Sequence, residues 1–505
     1  MMTALVRWLE DKSDWLSPIV VKEVRQVVRG REFAYSFGAS LVAGLAVAFF
    51  GAADALTGSG NTGSWTFFAL MGCVAFLGLG VVPLGAFNAL RTERMEQTLE
   101  LITLTELTPR RIVIGKLLAQ SVKLATLFAA VAPFVAMTFL LGGIDFLTII
   151  LSLAGVFLWS LWVCALCLFL STLLKSRAMS GLVFGVIGIG AFMMFGFSRT
   201  MYFVASRGTF YAAPTAGFPG SPWWVVLLST SMCLATMINL VLLAENRLAL
   251  PTENKVTPLR VGFLIQFLVF AAWMLSFVDA STRVKSNTFY ALGAVGGVHL
   301  AIVALFAITE DLVGSRRTRV RERTASGVRD ALAMFRAGGG RGAIYVLAQM
   351  AALVAIAQLF DPNAFEVRWL LAACGYVCFF TGVPTAVMRA LRPARAESLR
   401  VRVIVFATLP AMLVLPDLLY YLLWRPDVLS LNYSRRHLLN PFRTLANWVV
   451  VEKEGWLALP LLVGLIGVVA YLVLIRLGIR MSEEPEVDLH DTTAAGEPGR
   501  ADVLY

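Results

Sequence analysis

The most informative segment of this chain for its fold is Arg91–Lys116, RTERMEQTLELITLTELTPRRIVIGK. It is charged, and it lies between two long apolar runs. Helical spacing puts Met95, Leu99 and Ile102 on one face. A second face carries Glu93, Glu96, Glu100 and Thr103. Thr108 followed by Pro109 predicts a hydroxyl N-cap with proline at the first position of a second helix. We therefore expect two helices that meet at a bend against a membrane, with an acidic face turned to water.

The composition predicts an all-α polytopic membrane protein. Hydrophobic residues make up 58% of the 505 residues, charged residues only 15%, and the mean hydropathy is +0.76, whereas soluble domains are about one quarter charged. The net charge of +11 is explained by the cationic inner loops of membrane proteins, so no nucleic-acid partner is expected. All six cysteines fall inside apolar runs, where a small apolar role is expected and a disulfide is not.

Apolar runs of spanning length predict about twelve transmembrane helices in two groups of six. The first group covers residues 37–57, 65–90, 117–141, 147–172, 178–198 and 223–244, and the second covers 261–278, 289–308, 343–360, 369–388, 403–424 and 456–475. With the N-terminus inside, 33 of the 43 lysines and arginines fall in inner segments. The positive-inside rule therefore predicts that both termini and residues 91–116 are cytoplasmic.

The predicted spans and their orientation divide the chain into four regions. Residues 1–35 contain an amphipathic stretch that suits a helix lying in the membrane interface. Residues 36–257 hold the first six spans, residues 258–480 hold a second six-span module, and residues 481–505 form an acidic tail that should be disordered. Nothing in the second module repeats the 91–116 segment.

No catalytic chemistry is predicted for the chain itself. The Gly115-Lys116 pair lacks the earlier glycine of a Walker A loop, because Arg110 stands at that position. The three histidines are far apart, so no metal site is expected. Polar residues inside spans either bond between helices or line a substrate path. We take Asn88, Asn239 and Asp417 as candidates for a path, with an interfacial acid as the alternative for Asp417.

Two motifs resemble those of ABC-2 type permeases, the membrane subunits of bacterial ATP-binding cassette exporters. The run from Glu93 to Ile102, ERMEQTLELI, and the run from Thr108 to Lys116, TPRRIVIGK, are similar to the family's inner-loop signature. The stretch from Ser17 to Gln26, SPIVVKEVRQ, resembles its N-terminal interfacial helix, with serine in place of the usual asparagine. The resemblance covers the chain to about residue 257.

The resemblance implies a coupling helix between spans two and three that docks on a separate ATPase subunit. Carried onto this sequence, Glu93, Glu96 and Glu100 would face the ATPase, and Thr108 and Pro109 would set the bend. A connecting helix beside them would carry Lys22, Glu23 and Arg25. The resemblance also implies a homodimer or heterodimer of permeases in the bacterial cytoplasmic membrane, in contact with lipids, with ATP bound only by the partner and no cofactor bound by this chain. Typical members end after six spans, so residues 258–480 are not explained.

Two other functions fit the same sequence features. The chain could be a non-transporting anchor for an ATPase in an envelope machine, such as gliding motility or secretion. A twelve-span secondary transporter fits the span count, but the long charged loop after span two and the lack of membrane-buried charge pairs in the sequence argue against it.

Overall fold

The computed structural model describes residues 18–57, 62–95, 108–141, 144, 146–173, 223–249, 256–278, 282–310, 333–391, 400–408, 438 and 440–483. Over these residues the chain is helical and contains no strand. In chain order the first helices are α1 (Pro18–Arg29), α2 (Arg31–Leu56), α3 (Thr62–Phe76), α4 (Val82–Met95), α5 (Pro109–Leu140), α6 (Phe146–Leu173) and α7 (Trp223–Leu248). The later ones are α8 (Val256–Leu275), α9 (Thr282–Ala307), α10 (Gly339–Gln358), α11 (Ala364–Leu391), α12 (Pro441–Ala446), α13 (Trp448–Lys453) and α14 (Ala458–Glu483).

Nine helices within the described residues are long and apolar enough to cross a membrane, as expected of a polytopic membrane protein. Each coincides with one of the twelve predicted spans. The predicted span 223–244 lies within α7, a helix of 26 residues. The predicted span 178–198 lies outside the described residues, and only the start of 403–424 is described, as helix to residue 408.

One span contains a turn of π-helix. Residues Leu77–Val81 adopt this wider turn between α3 and α4, so the second span is continuous but carries a bulge. Gly78 lies in the bulge, and a Cβ there would meet the Ser160 hydroxyl of α6 at 2.3 Å. Glycine therefore allows α6 to approach the bulge closely.

The chain divides into two compact units. One comprises residues Met1–Gly296 with Ala355–Asn363, and the other comprises Gly297–Val354 with Ala364–Tyr505. This division differs from the predicted boundary at residue 257, because α8 packs on α7 within the first unit. Trp273 Nε1 of α8 donates to Ser231 Oγ of α7 over 2.8 Å. The six-span permease core therefore stays a prediction, and it does not coincide with a compact unit.

In the second unit α11 and α14 pack against each other through glycines. A Cβ at Gly375 would lie 2.6 Å from Gly464 Cα, and a Cβ at Gly467 would lie 2.4 Å from the backbone nitrogen of Phe379. Small residues let two backbones approach this closely without a hydrophobic driving force between them. Thr381 and Tyr471 add a hydroxyl pair 2.9 Å apart at the same interface.

Candidate functional site

A buried ion triad connects three separate parts of the first unit. The Lys116 ammonium of α5 lies 3.2 Å from Glu23 Oε1 of α1 and 2.8 Å from Glu93 Oε1 of α4. The Lys116 side chain is only 2% exposed, the Glu23 side chain 9% and the Glu93 side chain 18%. Charges this deeply buried must be paired and hydrogen-bonded, so the triad holds α1, α4 and α5 together.

The local sequence explains how each carboxylate reaches Lys116. In α1 the charged residues divide between two faces: Glu23 is buried, whereas Lys22, Arg25 and Arg29 are not. In α4, Glu93 lies near the end of the second span, where the apolar run gives way to charged residues. Two carboxylates and one ammonium give the triad a formal charge of −1, and both carboxylates share the Lys116 ammonium.

The predicted start of the second helix at Thr108 and Pro109 is confirmed. Residues 96–107 before it lie outside the described residues, so the bend itself stays a prediction. Thr108 has the extended N-cap conformation (φ −68°, ψ 142°) and Pro109 is the first residue of α5. The predicted hydroxyl cap is wrong, because the Thr108 side chain makes no capping hydrogen bond. Its carbonyl instead accepts from the backbone N–H of Arg111 and Ile112, at 2.9 and 3.3 Å, and starts the helix.

The other predicted site residues are scattered. Lys22 and Arg25 are exposed and line a groove of about 420 Å³ along α1 together with Arg29. Asn88 is exposed on α4. Glu96, Glu100 and Asp417 lie outside the described residues. Docking on an ATPase stays a prediction for Glu96 and Glu100, as does a substrate path for Asn88 and Asp417 and a connecting-helix role for Lys22 and Arg25. Glu93 has a partner within the chain itself.

The sequence reasoning missed a polar stripe on α5. Lys116, Gln120 and Lys123 are spaced by four and three residues, so they fall on one helix face, and all three are at least 97% buried. This spacing within an apolar helix was the signal that could have found them. Lys116 anchors the triad at one end of the stripe, and Lys123 lies about 10 Å further along the helix.

Asn239, a candidate for a substrate path, bonds between two helices. Its side-chain nitrogen donates to Gln266 Oε1 over 2.5 Å, which joins α7 to α8. A role for Asn239 in lining a substrate path stays a prediction. The observed hydrogen bond by itself explains why an amide side chain is present at this position.

Replacing Asn239 by Leu should destabilise the α7–α8 contact modestly, because Gln266 then loses its donor. Interhelical hydrogen bonds inside membranes are worth about 0.6–2 kcal/mol. We expect Asn239→Leu and Gln266→Leu each to lower stability, with a coupling energy of that size in a double-mutant cycle measured by thermal unfolding in detergent. Additive effects would contradict the assigned bond.

Among the described residues, no group of three or more histidine, cysteine, aspartate or glutamate side chains could hold a metal ion. Comparison of the chain with protein-family models, with curated proteins and with solved structures gives no match in any of the three.

Proposed function

We propose that this chain is the membrane-spanning permease subunit of an ABC-2 type exporter, driven by a separate ATPase subunit. The observation that carries the proposal is the Glu23–Lys116–Glu93 triad. It joins α1, which the ABC-2 resemblance makes the connecting helix, to α4 and α5, the helices on either side of the proposed coupling segment. The chain works in the bacterial cytoplasmic membrane, with both termini inside, as one half of a homodimer or heterodimer.

The mechanism follows from the way residues 96–107 are flanked. Glu93 precedes this segment and Lys116 follows it, and their side chains are 2.8 Å apart. Because the two flanking helices are tied together, a push on the segment by a closing ATPase moves α4 and α5 as one body. Glu23 transmits the same movement to α1. ATP hydrolysed by the partner would then tilt spans two and three and open a path outward.

Reversing the charges of Glu96 and Glu100 tests the docking role. Like charges brought together at a contact oppose association, so we expect Glu96→Lys with Glu100→Lys to lower permease-stimulated ATP hydrolysis by about tenfold, which corresponds to about 1.4 kcal/mol. The measurement is ATPase activity of the co-purified complex reconstituted in vesicles.

The control is Glu454→Lys, which reverses an exposed acid next to α13. It should leave the stimulation unchanged. Wild-type stimulation in the double variant would remove the docking claim. Stimulation without ATP-dependent movement of any solute or lipid would favour the anchor for an envelope machine over the exporter.

A further inference from the structure

The first unit contains a buried lysine that the triad does not use. This residue is Lys123 of α5, which is only 3% exposed. Among the described residues no ion pair or hydrogen bond engages its ammonium. Glu32 of α2 attracts it from a distance, but Glu32 is exposed and makes no ion pair with it. A buried cation without a counter-ion is costly, and such residues in membrane spans mark functional sites.

A second polar group beside Lys123 also lacks a partner. Gln120 is 2% exposed, and its Oε1 atom is buried with no hydrogen-bond donor in the described part of the chain. Gln120 lies one helical turn before Lys123 on the same face of α5. A ligand that satisfies both groups must therefore present a negative charge and a hydrogen-bond donor.

Gly85 of α4 faces these two groups. A Cβ built on Gly85 would lie 3.4 Å from Lys123 Nζ and 3.7 Å from Gln120 Oε1, with no other group within 4 Å. An alanine would thus be in ordinary contact with both polar atoms, and a larger side chain at this position would crowd them. The π-helical turn Leu77–Val81 begins two turns earlier in the same span, and such turns are frequent at functional sites.

The surroundings of the pair are apolar. The neighbouring cluster is formed by buried side chains of α4, α5 and α6, namely Val82, Ala86, Leu90, Leu124, Leu127, Cys164 and Leu168. A ligand that places its anionic group at Lys123 would therefore meet hydrocarbon on the adjacent surfaces. This favours a molecule with a charged head and an apolar body.

We propose that Lys123, Gln120 and Gly85 form a recognition site for a phosphate monoester. The ammonium pairs with the phosphate oxygens, and the P–OH group of the singly protonated form donates to Gln120 Oε1. The group can belong to a lipid such as phosphatidic acid or to a soluble phosphomonoester. The further claim that the bound molecule is the exported cargo rests on the proposed transport function.

Binding is tested on the purified full-length chain in neutral detergent without the ATPase. The probes are phosphatidic acid and phosphatidylcholine with the same fluorescent acyl chain. A charge-assisted hydrogen bond is worth enough to change affinity at least about tenfold. We expect Lys123→Met to weaken phosphatidic acid binding by at least that factor. Gly85→Val should weaken it as well, whereas Lys123→Arg keeps the charge and should retain binding.

The matched control is Lys453→Met, which removes an exposed lysine of α13 and should leave binding unchanged. Equal binding of the two probes by the wild-type chain, or full phosphatidic acid binding in the folded Lys123→Met variant, would overturn the proposal.

A second measurement needs no variant. Lys123 in the wild-type chain is labelled with an amine-reactive reagent and quantified by mass spectrometry. We expect phosphatidic acid to protect Lys123 and not Lys453. Protection by glycerol 3-phosphate as well would identify a soluble source for the group, and protection by phosphatidic acid alone would identify a lipid. Protection by neither probe overturns the site. Because no ATPase is present, a failure of ATP coupling leaves these results unaffected.

Discussion

Replacing Lys116 by Met should destabilise the chain by about 3–5 kcal/mol, because breaking a buried ion pair leaves an uncompensated charge behind. Here two carboxylates, Glu23 and Glu93, would lose their shared cation at once. Methionine has a similar length and packs well in apolar surroundings, so the loss reports the charge and not a cavity. Thermal unfolding of the purified chain in detergent measures the effect.

One further variant separates the triad's charge from its packing. Lys116→Met combined with Glu23→Gln and Glu93→Gln removes all three charges, and it should recover most of the lost stability because replacing a whole buried ionic group is often neutral. The same triple variant should still lose ATPase coupling, since α1, α4 and α5 are no longer tied by charge. An unfolding temperature for Lys116→Met equal to that of the wild type would show that the triad is not a stabilising contact.

Replacing Gly467 by Ala should destabilise the second unit by about 3 kcal/mol, at the upper end of typical overpacking costs. The added Cβ would lie 2.4 Å from the backbone nitrogen of Phe379 and 2.7 Å from the carbonyl carbon of Cys378. Both neighbours are backbone atoms that cannot rotate away, so α11 and α14 must separate. The contact between Thr381 and Tyr471 would then lengthen as well.

The same chemical change at Gly297 provides the control. Gly297 belongs to α9 in the same unit, and a Cβ there would meet nothing within 4 Å. Gly297→Ala should be neutral or stabilise by up to about 1 kcal/mol, since alanine is the better helix former. Thermal unfolding of both variants in one detergent gives the comparison. Equal stabilities would show that α11 and α14 do not pack through Gly467.

The sequence alone located the helices and the start of α5 at Thr108 and Pro109, because both depend on local properties. A run of apolar residues of spanning length has to form a helix in a membrane, since only intrahelical bonds satisfy its backbone there. Proline at the first helical position is likewise a local signal. The predicted hydroxyl cap failed because the Thr108 carbonyl alone starts the helix, a detail of orientation that residue type does not determine.

The tertiary structure decided which polar residues meet. Glu23 and Lys116 are 93 positions apart, and nothing in their spacing pairs them. Periodicity on α1 separates two faces of the helix. It does not show which face packs against α5 or which carboxylate is buried away from solvent. The stripe of Lys116, Gln120 and Lys123 was present in the sequence. Only packing shows that the first lysine pairs with two carboxylates, whereas the last pairs with none in the part of the chain that the structure describes. Hydropathy is a property of each segment by itself, whereas the pairing of buried charges depends on helices that the chain brings together from distant positions.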